Sequence, residues 1–222
     1  QLAGEYTELP QELRFFYVED VFRQSKGNHN RLERTQAGIE YFGNPSREAD
    51  AEVIALAIHT LKDLGFKDIK IEMGDAGFFK ELAQEINLDR NQFSQLKHLV
   101  QSKNAVDIER FLAGISADQN VKDIVGKIPF LYGSPKSIRQ KMSDVTLTKK
   151  IEKKINHLLE IVDVLTMYGL EEHIALDLGL INHMDYYSDV IFQGYVENIG
   201  EPVVMGGRYN QLGNAFNATL PA

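Results

Sequence analysis

The chain has 222 residues, 43% of them hydrophobic and 25% charged, so it can bury one sizeable core and is neither disordered nor collagen-like. Its net charge of −8 disfavours a broad surface for nucleic-acid phosphates, and no apolar run approaches the roughly 20 residues that a membrane-spanning helix needs. The absence of cysteine excludes disulfides, thiolate metal ligands and cysteine nucleophiles, and it agrees with a cytoplasmic location.

The first predicted elements are two strands. Residues 13–18 are rich in aromatic and β-branched side chains, and residues 37–42 have the same character. Between them, residues 23–34 are polar and contain the turn-forming residues Gly27 and Asn28. The pattern predicts a β-hairpin whose long polar loop is of the kind that often binds ligands.

A helix and a short strand follow the hairpin. Ser46 is a predicted N-cap, and Glu48 and Asp50 place negative charge in the first turn, where the helix dipole favours it. Apolar residues then recur at helical spacing as far as Leu64, and Gly65 is predicted to end the helix. Residues 69–72 have the composition of a strand.

The middle of the chain is predicted to be helical. Residues 77–141 contain several short amphipathic stretches separated by polar turns, which indicates an inserted helical subdomain. A long helix follows over residues 147–165, with Gly169 just past its end. The basic cluster at residues 149–154 is interpreted as a solvated helix face rather than a nucleic-acid contact, because the chain is acidic and no aromatic residues interleave.

The last third returns to strands, predicted at residues 174–178, 186–196 and 202–205, with a bulge predicted at Gly194. Strands at both ends and helices between them predict an α+β fold around a mainly antiparallel sheet. The chain starts with Gln1 rather than Met and stops without a polar tail, so we expect it to be part of a longer protein.

Motifs for common chemistries are absent from the sequence. It contains no Walker-type phosphate loop, no dinucleotide-binding glycine motif and no nucleophile elbow. No two of the six histidines have the i, i+4 spacing of a helical zinc site, so neither a metal nor a cofactor is predicted.

Three segments together resemble histidyl-tRNA synthetases. Phe22-Arg23, followed by Gln36-Ala37-Gly38-Ile39-Glu40, is similar to their motif 2, and Asp185-Tyr186-Tyr187 is similar to their histidine-specific segment. Gly206-Gly207-Arg208-Tyr209 is similar to their Gly-Gly-Arg-Tyr-Asp motif. The resemblance implies a class II aminoacyl-tRNA synthetase core with flanking helices. It divides the chain into residues 1–76 and 142–222 as two parts of that core, with 77–141 as a helical insertion.

The resemblance also implies a set of site residues. Gln36 and Glu40 occupy the places of the synthetase's histidine-binding pair, and both lie on one face of a strand because the period of a strand is two. Tyr186 and Tyr187 are expected on opposite faces of their strand, with Tyr187 preferred as the residue that contacts an imidazole. Asp185 either orients this part of the site by hydrogen bonding or is merely exposed to solvent.

Three further positions have implied roles. Arg23 matches a phosphate-contacting arginine; it binds an anion, pairs with an acidic neighbour or has no special role. Gly206 and Gly207 either allow close backbone approach with positive φ or form a simple turn. Arg208 is expected to be structural.

Two departures from the synthetase motifs indicate a relative of the synthetases rather than a synthetase itself. Where the synthetases carry an activating arginine three residues before Asp-Tyr-Tyr, this sequence has Asn182, and Ser25 replaces the glutamate of motif 2. Residues 131–135, Leu-Tyr-Gly-Ser-Pro, resemble a stretch in the regulatory subunits of ATP phosphoribosyltransferase, which are synthetase-like paralogues without aminoacylation activity.

The resemblance to the regulatory subunits implies partners. It implies a non-catalytic subunit in histidine biosynthesis, with homodimeric regulatory subunits that join the short-form catalytic subunit in a hetero-oligomer. Histidine is the implied feedback effector, and nucleic-acid or membrane binding is not expected. The alternatives are a fragment of a histidyl-tRNA synthetase catalytic domain, or an amino-acid-binding paralogue with another partner, including a role in sensing uncharged tRNA.

Overall fold

A computed structural model describes residues 12–22, 33–143, 145–181 and 186–211. The strands in these ranges are β1 Leu13–Phe22, β2 Glu33–Phe42, β3 Ile69–Asp75, β4 Tyr132–Gly133, β5 Ile174–Asp177, β6 Val190–Val196 and β7 Val204–Gly207. The helices are α1 Arg47–Asp63, α2 Ala76–Glu85, α3 Arg90–Gln101, α4 Ala105–Ala113, α5 Gln119–Lys127, α6 Pro135–Ser143 and α7 Lys149–Met167, with 3-10 turns at Ile128–Phe130 and Glu171–His173. Within the described residues, no helix is both long and apolar enough to span a bilayer.

The hairpin and the main sheet are separate in the described part of the chain. Strands β1 and β2 pair antiparallel from Leu13 opposite Phe42 to Phe22 opposite Glu33 and form a two-stranded sheet. The five-stranded sheet has the order β4-β5-β3-β6-β7, in which only the β3–β5 pair is parallel. The predicted α+β class with a mainly antiparallel sheet is confirmed.

Sequence patterns explain where the two long helices begin and end. The hydroxyl of Ser46 accepts a hydrogen bond from Ala49 N at the start of α1, as the N-cap prediction requires. Gly65 follows the end of α1 with φ +94°, and Gly169 follows the end of α7 with φ +72°. Residues with a side chain rarely adopt such positive φ angles, so glycine is suited to both helix ends. Helix α1 packs against α7.

One face of the five-stranded sheet forms the core. Ile69, Ile71 and Met73 on β3 are at most 3% exposed and belong to the same hydrophobic cluster as buried residues of α1 and α7. Residues of α2 to α6 join this cluster as well. The division of the chain into residues 1–76, 77–141 and 142–222 therefore remains a prediction. On the opposite face of β3, Lys70 is exposed and Glu72 is half-buried.

The predicted strand at residues 186–196 is wrong in its first four residues, because β6 begins at Val190. Its partner β3 ends at Asp75, whose carboxylate caps α2, so β3 does not pair with residues that precede Val190. The preceding segment bonds elsewhere: Ala76 N donates to Asp189 O, and Ser188 N donates to Arg208 O. Tyr186 and Tyr187 therefore lie outside the strand.

The predicted bulge at Gly194 is also wrong. The β3–β6 register runs without interruption through Gly194, which pairs with Ile71 and, on the other side, with Val204. The glycine is needed for close packing, because an added Cβ would lie against Val204 Cγ1 and 2.8 Å from Ile71 Cδ1.

The basic stretch at the start of α7 is mostly solvent-exposed. Lys149, Lys150 and Lys153 are exposed, as the sequence predicts. Lys154 differs, because its side chain is 19% exposed and its Nζ lies 3.1 Å from Asp75 Oδ1.

Replacing Gly194 with alanine is expected to destabilise the fold by about 1–3 kcal/mol, because an extra methyl group must displace side chains packed from both neighbouring strands. Chemical denaturation of Gly194→Ala against the unmodified protein measures this loss. Gly200→Ala is the matched control, because an added Cβ there meets nothing within 4 Å. Equal free energies of unfolding for the two variants would contradict the packing described here.

Candidate functional site

One face of β2 points toward the main sheet. Gln36, Gly38 and Glu40 are half-buried, whereas Ala37 and Ile39 between them are exposed. The two-residue period thus places Gln36 and Glu40 on the same face, as expected.

Tyr17 of β1 lies across this face. It is opposite Gly38 in the hairpin register, and its hydroxyl accepts a hydrogen bond from Gln36 Nε2 at 2.6 Å. An added Cβ on Gly38 would stand 2.5 Å from Tyr17 Cε1, so only glycine lets the ring lie here. Tyr17 and Gln36 are therefore held together by the hairpin itself.

Three more tyrosines come from the other end of the chain. The hydroxyl of Tyr209 donates a hydrogen bond to Glu40 Oε2. The ring centroid of Tyr186 lies 5.9 Å from that of Tyr209 and 4.6 Å from that of Tyr187. We call the group Tyr17, Gln36, Glu40, Tyr186, Tyr187 and Tyr209 the Glu40 corner.

Tyr186 and Tyr187 contact one another, so the prediction that they point to opposite faces of a strand is wrong. Tyr187 is 8% exposed and Tyr186 is 41% exposed. An added Cβ on Gly207 would lie 2.8 Å from Tyr187 Cδ1, and one on Gly206 would lie 2.6 Å from Phe192 Cε1. Both glycines thus permit close approach of an aromatic ring, that of Tyr187 at Gly207 and that of Phe192 at Gly206. Neither glycine has a positive φ.

Two phenols of the Glu40 corner, those of Tyr187 and Tyr209, are held in their protonated form. Burial raises the pKa of Tyr209, and its hydrogen bond to Glu40 raises it further. Burial also raises the pKa of Tyr187, with the hydrogen bond to Tyr186 as the next cause. At neutral pH these hydroxyls are neutral, and each can donate one hydrogen bond and accept others.

The chemistry of the corner suits a small nitrogenous ligand. A carboxylate accepts from ammonium or ring N–H groups, an amide can donate or accept, and the tyrosine rings offer apolar faces. Among the described residues, no group of three or more His, Asp or Glu side chains is placed to hold a metal ion.

Arg208, the residue before Tyr209, is buried next to the Glu40 corner and bonds to Asn44, Ser46 and Asp50. Its side chain is 6% exposed, and its Nε donates to Asp50 Oδ1 at 2.8 Å. Its Nη1 donates to Asn44 O at 3.1 Å and its Nη2 to Ser46 O at 3.3 Å. The hydrogen bonds of the Arg208 guanidinium thus go to the protein, and Asp50 serves as its buried counter-ion rather than only as a helix-dipole partner.

Further charges surround this pair. His157 Nε2 lies 3.4 Å from Asp50 Oδ2, and Lys154 Nζ lies between Asp75 and Asp189, at 3.1 and 3.8 Å. Asp50 raises the pKa of His157 above its usual 6.5, and Asp189 and Asp75 add to the effect while burial opposes it. The fold therefore favours the protonated imidazole.

Several predicted positions lie outside the described residues: Arg23, Asn182 and Asp185. Sequence reasoning missed Tyr209 and Tyr17 as members of the corner. Tyr209 is the last residue of the Gly206-Gly207-Arg208-Tyr209 motif, which was a usable signal. Tyr17 is one of several aromatic residues in β1, and nothing in the sequence distinguishes it.

The family model for histidyl-tRNA synthetase matches residues 2–222. The chain belongs to the histidyl-tRNA synthetase family. It is 43% identical to the ATP phosphoribosyltransferase regulatory subunit of Oceanobacillus iheyensis, over 94% of this chain and 51% of the relative. It is 38% identical to that of Clostridium botulinum strain Langeland, over 95% of this chain and 50% of the relative. The chain thus spans about half the length of the curated relatives it matches.

Solved structures share the fold. The structure from Bacillus halodurans, described as an ATP phosphoribosyltransferase regulatory subunit/histidyl-tRNA synthetase, matches with a TM-score of 0.87 at 28% identity, covering 99% of this chain and 57% of that one. The ATP phosphoribosyl transferase (HisG:HisZ) complex from Thermotoga maritima matches with a TM-score of 0.73 at 20% identity, covering 93% and 72%. The predicted class II synthetase-like fold and the resemblance to the regulatory subunits are confirmed.

The raised pKa of His157 gives a pH-dependent stability. A group whose pKa is raised by folding stabilises the protein below its unfolded pKa, and this stabilisation is lost as the pH rises through the folded pKa. His157→Gln should therefore cost more unfolding free energy at about pH 6 than at about pH 9. His59→Gln, at an exposed position of α1, is the control and should show no such difference. A cost for His157→Gln that is the same at both pH values would contradict the assignment.

Proposed function

We propose that the chain is the synthetase-like part of a non-catalytic regulatory subunit of ATP phosphoribosyltransferase, and that it binds histidine in the Glu40 corner. The observation that carries the proposal is the 43% identity to a regulatory subunit over 94% of the chain, together with a carboxylate and an amide that face a tyrosine-lined corner.

In the proposed complex, Glu40 accepts from the imidazole or ammonium of histidine, and Gln36 completes the recognition with its amide. Tyr187 is the aromatic wall that lies closest to the buried side of the corner, and Tyr186 covers the exposed side. Asp185 is proposed to orient the same segment, and Arg23 is proposed to meet an anionic group.

The absence of aminoacylation is proposed from Asn182. This residue stands where the resemblance to synthetases places an activating arginine. Removing one fixed stabilising group from a transition state that develops negative charge costs on the order of 10² to 10³ in rate, and a neutral amide does not replace the charge.

The proposed partner is the short-form catalytic subunit of ATP phosphoribosyltransferase, in a hetero-oligomer with homodimeric regulatory subunits. The Thermotoga maritima structure, described as a complex of this enzyme, supports a partner of that kind. Feedback inhibition requires that histidine bind the inhibited arrangement more tightly, by roughly 1–3 kcal/mol of coupling.

A second candidate function is histidyl-adenylate formation by a true synthetase. The family model and a structure from Alicyclobacillus acidocaldarius described as a histidine--tRNA ligase subunit favour it, the latter with a TM-score of 0.75 at 22% identity. Both functions use a histidine pocket. Histidine-dependent exchange of pyrophosphate into ATP separates them, since only the synthetase catalyses it.

Adding the complete regulatory chain to the short-form catalytic subunit is expected to raise ATP phosphoribosyltransferase turnover and to make it sensitive to histidine, because the active assembly contains both chains. A steady-state assay with and without the chain measures both effects. Turnover and histidine sensitivity that do not change, or measurable pyrophosphate exchange by the chain alone, would refute the proposal.

Glu40→Gln is expected to weaken histidine binding by about tenfold to a hundredfold, because a charge-assisted hydrogen bond becomes a neutral one. Titration calorimetry with histidine measures the change. Glu152→Gln, at an exposed position on α7, is the matched control and should bind as the unmodified protein does. Unchanged affinity of Glu40→Gln would place histidine elsewhere.

A further inference from the structure

The two halves of the Glu40 corner are carried by separate sheets. Glu40 lies on the two-stranded hairpin, and Tyr209 is the second residue after β7 of the five-stranded sheet. No pairing between strands joins the two sheets within the described residues. The hydrogen bond from Tyr209 to Glu40 therefore depends on contacts that fix one sheet against the other.

Arg208 supplies such contacts on the side of the hairpin. Its guanidinium donates to the carbonyl oxygens of Asn44 and Ser46, which follow β2 by two and four residues. Its Nε donates to Asp50 in the first turns of α1. One planar group thus holds the end of the strand that carries Glu40 and the start of the next helix.

The same residue organises the segment around Tyr209. The Arg208 carbonyl accepts from Ser188 N at 2.9 Å, and Arg208 N donates to Val190 O at 2.8 Å. Its Nη1 also lies 3.3 Å from Asn210 Oδ1, while Asn210 N donates to Ser188 Oγ at 3.2 Å. Tyr209 stands between two residues that are fixed in this way.

Because Arg208 and Asp50 are buried and bonded to the protein, their role in joining the two sheets is distinct from contact with a ligand. Arg208 is 6% exposed and Asp50 is 7% exposed, and the hydrogen bonds of the guanidinium go to the protein. A lysine would keep the positive charge but not the fork that reaches several acceptors at once. The geometry of the guanidinium, and not its charge alone, joins the two sheets.

We propose that Arg208, held by Asp50, is a positioning residue that sets the affinity of the Glu40 corner by holding Tyr209 against Glu40. The proposal rests on the proposed binding of histidine in this corner. Arg208 does not touch the ligand and acts through the Tyr209–Glu40 hydrogen bond.

A double-mutant cycle on the complete protein tests the proposal, with histidine titration calorimetry as the measurement. Arg208→Lys is expected to weaken histidine binding by about tenfold, because the Tyr209–Glu40 contact is no longer held. Tyr209→Phe should weaken it through the same contact. The double variant should then bind within about twofold of Tyr209→Phe alone, since residues that act through one contact are not additive.

Other outcomes overturn the proposal. If the two losses of histidine affinity multiply in the double variant, Arg208 is merely structural. If Arg208→Lys binds histidine as the unmodified protein does, Arg208 has no positioning role. Arg139→Lys, which alters the surface ion pair with Asp163, is the matched control and should leave binding unchanged. If Arg208→Lys does not fold, Asp50→Asn takes its place in the cycle, because it removes the negative charge that holds the guanidinium while keeping the size of the side chain. Its loss of histidine affinity should also be non-additive with that of Tyr209→Phe, and losses that multiply would overturn the proposal.

A measurement without ligand separates this proposal from the proposed function. If the unmodified protein binds no histidine, the proposed function fails, and hydrogen exchange then decides the positioning role. The amides of Ser188, Arg208 and Asn210 should exchange at least about tenfold faster in Arg208→Lys than in Arg139→Lys. Equal exchange rates in the two variants would overturn the proposal.

Discussion

The buried ion pair between Arg208 and Asp50 is the interaction on which the candidate site depends. Burying two charges is costly unless they are paired and their remaining hydrogen-bonding groups are satisfied. Here the guanidinium meets one carboxylate oxygen and two backbone carbonyls, while His157 stands beside the other carboxylate oxygen. The pair links residues 158 positions apart in the sequence and brings the hairpin to the edge of the main sheet.

The Glu40 corner is built at this junction. The hairpin contributes a carboxylate and an amide, and the segments that flank β6 and β7 contribute the hydroxyls of Tyr187 and Tyr209, whose pKa values are raised by burial. A ligand in the corner would contact both sheets at once. Under the proposed function, histidine would therefore bind where it can change how the two sheets sit together, which is the kind of coupling that feedback inhibition needs.

Local features were predictable from the sequence, and long-range ones were not. Ser46 as N-cap and Gly65 and Gly169 after helix ends depend on neighbours within a few residues, and the structure has them where the pattern predicts. The start of β6 was misplaced because Tyr186 and Tyr187 are residues typical of strands. The backbone of Ser188 and Asp189 instead bonds to Arg208 and Ala76. The position of Asp50 suggested a helix-dipole role, because its partner Arg208 is remote in sequence.

The site was predictable only through family resemblance. The resemblance supplied Gln36, Glu40 and the tyrosine pair, and the two-residue period placed the first two on one face. Periodicity could not bring Tyr209 to Glu40, because that contact depends on the packing of one sheet against the other.

The most direct test of the central claim is the histidine inhibition curve of the assembled ATP phosphoribosyltransferase, measured with the unmodified subunit and with Glu40→Gln. The account predicts that both assemblies turn over at similar rates without histidine, and that Glu40→Gln shifts inhibition to histidine concentrations at least about tenfold higher. Superimposable inhibition curves would show that histidine does not act through this corner.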